Sequence, residues 1–378
     1  MKILITDIHH GNGGGHVTYV ASLLKGLKSA HDVTVAAPRT GRLYQAATLF
    51  PGVRVLPGYY TSRPLPLLAE VAKLRRFLDR EAFDVVHVNG GADHRHIMLA
   101  SLGLARRPAI VWTKHNTNPV SSPGHRLRAR LGTDLSIAVC DHVAHILTES
   151  AYRRRPITVI RNGIDINHFS PVAAERRQAL REQLFGAIDK DVLVLGSIGG
   201  TDHNKGWMDL VKAAARLSPP QRCRVRIIVA GDPPSKGVLD EVGRLDMHGQ
   251  VHFPGLVADV RDILGACDVG FVLSYREAAS YASCETMAMG LPALVSKVGG
   301  LPENVRDGLD GWVVPAGDVD AIHSWLSGLL ADASVLAALG RSARQRAQQA
   351  FPTAKFIQDT VHAYTQAVGL VSRRVAPI

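Results

Sequence analysis

The sequence has few of the features that mark disulfide-linked, zinc-binding or membrane-spanning chains. Its 378 residues include four cysteines, without a C-x-x-C pair or a Cys/His spacing suited to zinc, so we expect inert thiols in a reducing cytoplasm. No apolar run reaches the roughly 18–20 residues that span a bilayer. The N-terminus, MKILITDIHHGNGGG, lacks the apolar segment and the cleavage site of a signal peptide. These absences predict a cytoplasmic protein.

Aromatic residues are scarce throughout the chain, and acidic residues are scarce in its first half. Aromatics make up 6% of the residues and form no interleaved platform on which bases could stack. Residues 1–170 contain 22 Lys and Arg against 11 Asp and Glu, whereas residues 171–378 contain 22 of each. A basic face on one part of the chain indicates an anionic partner, such as a phospholipid surface, a nucleic acid or a polyanionic acceptor. The lack of aromatics disfavours nucleic acid among these.

Short β-branched runs alternate with amphipathic segments along the whole chain. KILIT, DVTVAA, DVVHVNG and HILTES are interpreted as strands in the first half, and VLVLGSIG, VRIIVAG, VGFVLS and PALVS in the second. This alternation predicts an α/β fold with two Rossmann-like domains, each a doubly wound parallel sheet, and a cleft between them. A turn and a charged segment place the boundary between residues 1–168 and 169–355. A further helix over about 356–378 follows the second domain.

A glycine-rich turn, GNGGGHVTYV, follows the first predicted strand and opens a predicted helix. Amides at a helix N-terminus bind anions, and glycine lets a phosphate or sugar approach the backbone closely. The dinucleotide-binding fingerprint is absent, because His16 stands where its third glycine would be. An NAD-dependent dehydrogenase is therefore disfavoured, and the pattern leaves open both an anion site and a simple tight turn.

A lysine stands at the start of a second predicted helix, in GGTDHNKGWMDLVKAA. Lys205 precedes Gly206 there, and a cation at that position suits a diphosphate bound near the helix terminus. A Lys-Gly pair is weak evidence by itself, since exposed lysines are common.

Two carboxylates flank a run of small residues in REAASYASCETMAMG. If a helix begins near Ser283, its first amides face whatever Glu277 reaches, and Glu285 lies in the first turn. A carboxylate there accepts hydrogen bonds from a ribose diol. The spacing is equally compatible with a capping pair, in which Ser283 is the N-cap and the helix dipole favours Glu285.

Two segments imitate metal-binding motifs. The DVD sequence at 318–320 precedes a helix-like run, so capping is the better interpretation. The DHRH sequence at 93–96 offers two histidines without a third ligand, and we expect a loop lining an acceptor cleft. No metal site is predicted.

Several motifs in order resemble the retaining GT-B glycosyltransferases of family 4. They are GGGHVTYV, VIRNGIDINHFSP, NKGWMDLVKAA and the Glu277-x7-Glu285 pair followed by TMAMGLPALVSKVGGLPENV. The resemblance covers almost the whole chain. It implies an acceptor-side domain over 1–168, a nucleotide-sugar domain over 169–355, and a final helix that crosses back to the first domain.

The resemblance also implies roles for individual residues in donor binding. Glu277 would contact hydroxyls of the donor sugar, Glu285 would bind the ribose, and Lys205 would neutralise the diphosphate. Further contacts would come from backbone groups: the phosphates and sugar would meet Gly14, Gly15, Tyr281 and Ala282, and the nucleobase would meet the FPGL loop at Leu256.

For the chemical step, the resemblance implies a reaction that retains the anomeric configuration. His115, at the end of the strand-like AIVWTK, would lie beside the reacting sugar with Glu277. Lys205 and helix amides can stabilise the departing diphosphate electrostatically, so we expect neither a cofactor nor a metal. The donor would be a nucleoside-diphosphate sugar, with UDP or GDP as the nucleotide.

The chain departs from the family pattern at two places. Gly199 and Gly200 stand where the family usually has a Gly-Arg pair, which implies one cation fewer at the diphosphate. Ala278, Ala279 and Ser280 replace the usual aromatic-Gly after the first glutamate. We expect these changes to affect donor affinity and sugar specificity, and the fold to be unaffected.

Basic residues beside apolar ones are expected on the acceptor side. They lie in two segments, SRPLPLLAEVAKLRRFLDR and GHRLRARLG, and such composition suits docking on an anionic membrane. An ordinary solvated helix is the alternative. The residues are Lys73, Arg75, Arg76, Arg80, Arg126, Arg128 and Arg130.

These observations predict a glycosyltransferase that acts on a hydroxyl of a glycan or lipid-linked acceptor in lipopolysaccharide or other surface-polysaccharide synthesis. We hypothesise a peripheral enzyme on the inner face of the cytoplasmic membrane. The alternatives are a GT-B nucleotide-sugar epimerase and a non-catalytic basic protein that binds membranes or nucleic acid. Nothing in the sequence predicts the oligomeric state.

Overall fold

Two separate α/β units make up the chain in the computed structural model, which describes residues 1–11 and 13–375. One unit comprises Met1–Gly163 together with the chain from Thr353 onward, and the other is Ile164–Pro352. The boundary lies five residues before the one placed at 168/169 from the sequence. The last helix begins at Thr353 rather than about 356, and residues 376–378 of its predicted extent lie outside the described residues.

The first unit is built on a seven-stranded parallel sheet. Its strand order is β3-β2-β1-β4-β5-β6-β7. The strands are β1 (Lys2–Thr6), β2 (Asp32–Ala37), β3 (Val53–Pro57), β4 (Val85–Val88), β5 (Ala109–Lys114), β6 (Leu135–Ala138) and β7 (Ile157–Val159). The helices are α1 (Gly14–Leu27), α2 (Arg42–Ala47), α3 (Pro64–Glu81), α4 (Gly91–Ser101), α5 (Pro123–Leu131) and α6 (Asp141–Thr148), with a 3-10 turn at Ala151–Arg154.

The second unit is built on a six-stranded parallel sheet. Its strand order is β10-β9-β8-β11-β12-β13. The strands are β8 (Leu193–Ser197), β9 (Val225–Val229), β10 (Val251–His252), β11 (Val269–Val272), β12 (Ala293–Ser296) and β13 (Gly311–Val314). The helices are α7 (Ala174–Phe185), α8 (Trp207–Ala215), α9 (Pro219–Cys223), α10 (Lys236–Arg244), α11 (Val260–Ala266), α12 (Tyr281–Ala288), α13 (Leu301–Asn304), α14 (Val319–Ala331) and α15 (Leu336–Ala350), with a 3-10 turn at His203–Lys205.

Each sheet reverses its winding direction at one point. In the first unit the reversal lies between β1 and β4, and in the second between β8 and β11. Loops that follow these strands leave the sheet at its carboxyl edge, where open parallel sheets bind their ligands. The central strands are buried on both faces, so their sequences are nearly continuous apolar runs, as predicted.

The final helix, α16 (Thr353–Val375), packs on the first unit. Tyr364 of this helix is fully buried, and its hydroxyl lies 2.7 Å from Nδ1 of His87 on β4. Phe356 packs against Tyr19, with the ring centroids 5.1 Å apart. Gly163 allows the close approach, because a Cβ there would lie 2.7 Å from Cβ of Phe356.

Two local predictions were wrong. HILTES, interpreted as a strand, forms the end of α6 and the turn after it, because Val143 and Leu147 recur at helical spacing and bury one face. The DHRH segment is not a loop but the first turns of the buried helix α4. By contrast, Asp318 does cap α14, since its carboxylate accepts from the amide of Ala321 at 2.9 Å.

No single helix among the described residues is long and apolar enough to cross a membrane. One bent pair in the described part of the chain, α14 and α15, which meet at 117°, has the required length and composition when the two helices are taken together.

Candidate active site

The loops after β8 and β11 meet at the reversal point of the second sheet. The 3-10 turn after β8 carries Lys205, and the loop after β11 carries Glu277. Nζ of Lys205 donates to Oε2 of Glu277 at 3.1 Å, across 72 residues of sequence. Both side chains keep part of their surface exposed, 28% and 16% respectively. A cation and a carboxylate therefore stand together at the ligand-binding edge of the sheet.

Gly206 lets the turn that carries Lys205 pack closely against the end of β11. Its φ is +65°, and a Cβ at this position would lie 2.0 Å from the carbonyl oxygen of Leu273. Only glycine lets the turn approach the end of β11 this closely. The Lys-Gly pair seen in the sequence thus has a structural reason.

Hydrogen bonds hold the two loops against each other. The amide of Tyr275 donates to the carbonyl of Asn204 at 2.9 Å, and Nδ2 of Asn204 donates to the carbonyl of Arg276 at 3.2 Å. The hydroxyl of Tyr275 donates to Asp209 on α8 at 2.8 Å. Burial and this carboxylate raise the pKa of Tyr275 to about 12, so it remains a donor. The lysine and the glutamate are therefore positioned by a rigid support.

The Gly299-Gly300 pair after β12 packs against the backbone of the glutamate loop. Gly299 has φ +51°, and a Cβ there would lie 1.6 Å from the carbonyl oxygen of Glu277. The amide of Gly300 donates to the carbonyl of Ala278 at 3.0 Å. The pair holds the Glu277 backbone in place from the neighbouring strand.

Helix α12 begins at Tyr281, two residues before the start predicted at Ser283. Its N-cap is Ser280, whose hydroxyl accepts from the amide of Ser283 at 3.2 Å. The capping interpretation placed the cap on the wrong serine, because the run of small residues gives no periodic signal. The amides of Tyr281 and Ala282 lie in the first turn of the helix, where backbone N–H groups can bind an anion.

Glu285 is the fifth residue of α12. It therefore lies beyond the first turn, whereas the sequence analysis placed it within that turn. Burial raises the pKa of Glu285 from its ordinary value of 4.5 to about 7. Between these values the folded chain holds a proton that the unfolded chain has lost, so this group makes stability fall as pH rises. The helix dipole does not explain a carboxylate beyond the first turn. A ligand that donates hydrogen bonds to Glu285 would explain it.

The remaining predicted donor positions of this unit lie in loops at the same edge of the sheet. Leu256, 68% exposed, follows β10 and the left-handed Gly255. Gly200, where the family has arginine, has φ +97°, a backbone conformation that side chains rarely adopt. The loss of the arginine is thus accompanied by a glycine-specific loop conformation.

In the first unit, His115 follows β5 and is oriented by Asn89, which follows β4. Nδ2 of Asn89 donates to the carbonyl of Thr6 at 3.0 Å, which leaves its Oδ1 as the acceptor 2.9 Å from Nε2 of His115. His115 therefore donates through Nε2 and carries its lone pair on Nδ1. Burial lowers the pKa of His115 well below its ordinary value, so the ring is neutral.

A buried aspartate supports this arrangement. Asp93 accepts from the hydroxyl of Thr6 at 2.7 Å and from the amide of Asn89 at 3.0 Å. Burial raises its pKa to about 6. The DHRH segment thus contributes a residue that positions Asn89, a role that the sequence analysis did not assign.

Gly14 and Gly15 form the first turn of α1, the helix that follows β1 along the chain. Gly13, the N-cap, has φ +64°, and Gly14 has φ +51°. Both glycines of the predicted phosphate turn are exposed at the carboxyl edge of the first sheet.

A cluster of potential ligands beside this turn was missed. Asp7, His9 and His16 each offer one ligand atom within 4.8 Å of the others, and among the described residues theirs is the one group with this geometry. The ring centroid of His16 lies 4.0 Å from that of His9 and 4.3 Å from that of His115. The D-x-H pair of Asp7 and His9 was the available signal in the sequence. The third residue of the cluster, His16, is separated from this pair by the glycine turn.

The predicted basic residues divide between two cavities of the first unit. Lys73, Arg76 and Arg80 line a cavity of about 540 Å³ between β3 and α3, which Tyr59 and Phe77 also line. Arg126 and Arg130 line a cavity of about 1020 Å³ beside α5. This second cavity is also lined by Arg153, Arg154, Arg155 and a single acidic residue, Glu149.

Two of the predicted cations lie elsewhere. The guanidinium of Arg75 donates to the carbonyls of Ala100, Leu102 and Gly103 and so closes the end of α4. Arg128 is half-buried and lines neither cavity.

Comparison with known proteins identifies the family to which the chain belongs. The family model described as Glycosyltransferase Family 4 matches residues 13–168, and the model described as Glycosyl transferases group 1 matches residues 189–332. The chain belongs to the family-4 glycosyltransferases with the GT-B fold. It is therefore a glycosyltransferase enzyme.

Individual relatives are similar over most of the chain. The chain is 25% identical to N-acetyl-alpha-D-glucosaminyl L-malate synthase of Bacillus anthracis, over 77% of its own length and 76% of that protein. It is 33% identical to D-inositol 3-phosphate glycosyltransferase of Mycolicibacterium paratuberculosis over 77% of its own length, and spans 64% of that relative. The Anabaena protein HepE in complex with UDP-glucose has a similar structure, with a TM-score of 0.79, 24% identity, and coverage of 97% of this chain and 99% of HepE.

Proposed function

We propose that the protein is a retaining glycosyltransferase that moves a sugar from a nucleoside-diphosphate sugar to a hydroxyl of an acceptor carrying an anionic group. One observation carries the proposal: Lys205 and Glu277 lie 3.1 Å apart at the reversal point of the second sheet, next to the opening amides of α12. A cation, a carboxylate and helix amides are the groups that a diphosphate and a sugar require. UDP is the nucleotide we favour, because HepE is similar over 97% of the chain and binds UDP-glucose; GDP is the second choice.

In this proposal the donor replaces the internal ion pair. The diphosphate pairs with the ammonium of Lys205, and Glu277 can then accept hydrogen bonds from sugar hydroxyls. As the bond from the anomeric carbon to the diphosphate breaks, negative charge develops on the leaving oxygen. Lys205 and the amides of Tyr281 and Ala282 stabilise that charge, and these groups supply the stabilisation without a resident cofactor.

The acceptor hydroxyl attacks from the face that the diphosphate leaves, so the anomeric configuration is kept. The new bond joins the acceptor oxygen to the anomeric carbon, and the hydroxyl proton passes to the departing diphosphate. His115, neutral and with its lone pair on Nδ1, is proposed to accept a hydrogen bond from the sugar or the acceptor. Glu277 is a binding carboxylate in this scheme, since a double displacement needs a placed nucleophile.

An anionic acceptor is supported by the first unit. Arg126, Arg130, Arg153 and Arg154 line the cavity of about 1020 Å³ with one acidic residue among them. The names of two relatives contain malate and inositol 3-phosphate, which are both anions. A small anion and the phosphorylated end of a lipid-linked or lipopolysaccharide-type glycan share this chemistry, and both are acceptors within the proposal.

Docking at the inner face of the cytoplasmic membrane belongs to the lipid-linked form of the proposal. Helix α3 exposes Leu65 and Leu68 by 80% and 65%, about one to three turns before the exposed cations Lys73 and Arg76. Apolar and basic residues together favour an anionic lipid surface. The protein should then sediment with phosphatidylglycerol vesicles but not with phosphatidylcholine vesicles, and salt should release it. No binding to either vesicle would leave a small soluble anion as the acceptor.

The nucleotide is tested by thermal stabilisation with UDP, GDP, ADP, CDP and NAD. Binding to the native state raises the melting temperature by mass action. We expect one nucleoside diphosphate to raise it and NAD to have no effect. If no nucleoside diphosphate stabilises the folded chain, the proposal is wrong, and a non-catalytic basic protein that binds membranes becomes the better account.

Glu285 makes donor binding depend on pH. A ribose diol donates hydrogen bonds to the ionised carboxylate, and burial keeps its pKa at about 7. At one pH unit below the pKa roughly one tenth of the groups are ionised, so affinity for a UDP-sugar should be about tenfold weaker at pH 6 than at pH 8. Calorimetry at both pH values measures this. Glu285→Gln should bind weakly at both, and an unchanged pH dependence in that variant would remove Glu285 from the donor site.

A further inference from the structure

We propose that Asp7, His9 and His16 bind a divalent transition-metal ion, of which Zn²⁺ is the best match, at the carboxyl edge of the first sheet. One carboxylate oxygen and two imidazole nitrogens lie within 4.8 Å of one another. This set of donors suits zinc and related ions. A small shift of the side chains would bring each donor atom to the usual distance of about 2.0–2.2 Å from the ion. Nothing in the proposed transfer reaction uses these three residues.

The backbone brings the three residues together and holds them. Asp7 and His9 leave β1, and the left-handed glycines of the turn bring the chain back so that α1 presents His16. A Cβ on Gly13 would lie 2.5 Å from a methyl group of Val17 and 3.3 Å from Cβ of His9, so glycine is needed for this approach. The site is therefore formed by the segment that leaves β1 and by the first turn of α1.

Asp7 has the arrangement of a metal-binding carboxylate. Its side chain is fully buried, and Oδ1 accepts from both the amide and Nδ1 of His9 at 2.7 Å. Its other oxygen, Oδ2, is buried and has no hydrogen-bond partner among the described residues. An unsatisfied buried polar atom is destabilising, and a bound cation would satisfy it.

The two histidines present nitrogens that suit the same ion. Nδ1 of His9 faces Asp7, 2.7 Å from its Oδ1, so a bound ion would displace the proton between these two atoms and bind Nδ1 together with the carboxylate. Nδ1 of His16 is buried without a partner among the described residues. Two orphaned atoms on two side chains thus belong to one cluster, and a single cation satisfies both.

Three protein ligands leave a coordination position open. His16 stacks beside His115, with centroids 4.3 Å apart, so that position would lie near the residue proposed to contact the reacting groups. This step rests on the proposed function: an anionic or hydroxyl group of the acceptor would complete the coordination of the metal. The ion would then position the acceptor in the first unit, while Lys205 stabilises the diphosphate in the second.

The test measures metal binding without any nucleotide sugar, so its outcome does not depend on the proposed transfer. The chelator-treated protein is titrated with Zn²⁺ by calorimetry and with Co²⁺ by visible absorption. We expect one ion per chain. His16→Gln and His9→Gln should each weaken binding by about 100-fold or more, since even indirect ligand partners change metal affinity by about 10–100-fold.

The matched control is His10→Gln. His10 lies in the same loop but is exposed, and its Nδ1 contacts the hydroxyl of Thr40, so this variant should bind metal as the parent does. Far-ultraviolet circular dichroism checks that the variants are folded. The second ligand variant keeps the test decisive if the first does not fold. Absence of stoichiometric binding in the parent, or equal binding in both ligand variants and the parent, would overturn the proposal.

Discussion

Lys205→Ala is expected to lower kcat/KM for sugar transfer by about 10²–10³-fold, the loss typical of removing one preorganised group that stabilises a developing negative charge. The ammonium is held 3.1 Å from Glu277 in a loop fixed by Gly206. No other Lys or Arg stands between Ser197 and Trp207 to take its place. The same variant should lose the thermal stabilisation that the nucleoside diphosphate gives to the parent. Its own melting temperature should change little, because the ion pair is partly exposed.

Lys212→Ala is the matched control. Lys212 lies on α8, seven residues further along, and forms a surface ion pair with Glu241 at 3.1 Å. Its removal takes away the same charge from the same unit without touching the candidate site. Transfer by the Lys212 variant should equal that of the parent within about twofold. Equal losses in both variants would show that only the overall charge matters, and would contradict the role given to Lys205.

Gly299→Ala should lower the free energy of unfolding by about 2–4 kcal/mol, among the larger effects of a single substitution. A methyl group at this position would meet the carbonyl oxygen of Glu277 at 1.6 Å, and the residue has φ +51°. Neither the clash nor the backbone conformation can be relieved without moving the Glu277 loop. Denaturant unfolding measures the stability loss, and nucleotide binding by the folded fraction should fall with it.

A glycine in the same unit provides the control for this substitution. Gly328 lies inside α14, and a Cβ there would have no atom within 4 Å. Gly328→Ala should therefore raise stability by about 0.5–1 kcal/mol, the usual gain in a helix interior. If Gly299→Ala were as well tolerated as Gly328→Ala, Gly299 would not be what fixes the Glu277 backbone.

Much of the fold could be predicted from the sequence because parallel strands buried on both faces leave nearly continuous apolar runs. The two sheets, and the separation of the chain near residues 163–168, follow from that signal. HILTES shows where the signal is insufficient, since a short apolar run fits a strand and a helix end equally well. The start of α12 was misplaced because Ala and Ser have no strong positional pattern.

The candidate site could be predicted only in part. Lys205 and Glu277 are 72 residues apart, and their contact depends on the strand order β8-β11, which spacing does not encode. The family resemblance assigned both residues to the donor site, but it did not predict their contact. Asn89 and Asp93 were missed because their roles consist of buried hydrogen bonds to backbone atoms and to His115, which leave no motif.

The metal-ligand cluster was missed for a related reason. The sequence places Asp7 and His9 two positions apart, but a histidine seven residues later is too common to count as a ligand. The glycine turn brings His16 back onto the pair, and only the structure shows that Asp7 and His16 keep buried atoms without partners. The prediction of no metal site was made without this information.

A GT-B epimerase would act on the same donor without an acceptor, and the product separates it from a transferase. An epimerase would return a nucleotide sugar of changed configuration and would ignore the anionic acceptor. A transferase would release the nucleoside diphosphate in proportion to a new glycoside. The arginine-lined cavity of the first unit favours the second outcome.

The measurement that tests the central claim most directly is the NMR spectrum of the product formed from a ¹³C-labelled nucleotide sugar and an anionic acceptor. The donor is the one that the thermal-stabilisation panel selects, and Lys205→Ala serves as the inactive comparison. We predict a new glycosidic linkage whose anomeric proton coupling matches that of the donor. An inverted anomeric centre, an epimerised donor without a glycoside, or equal product from Lys205→Ala would contradict the account.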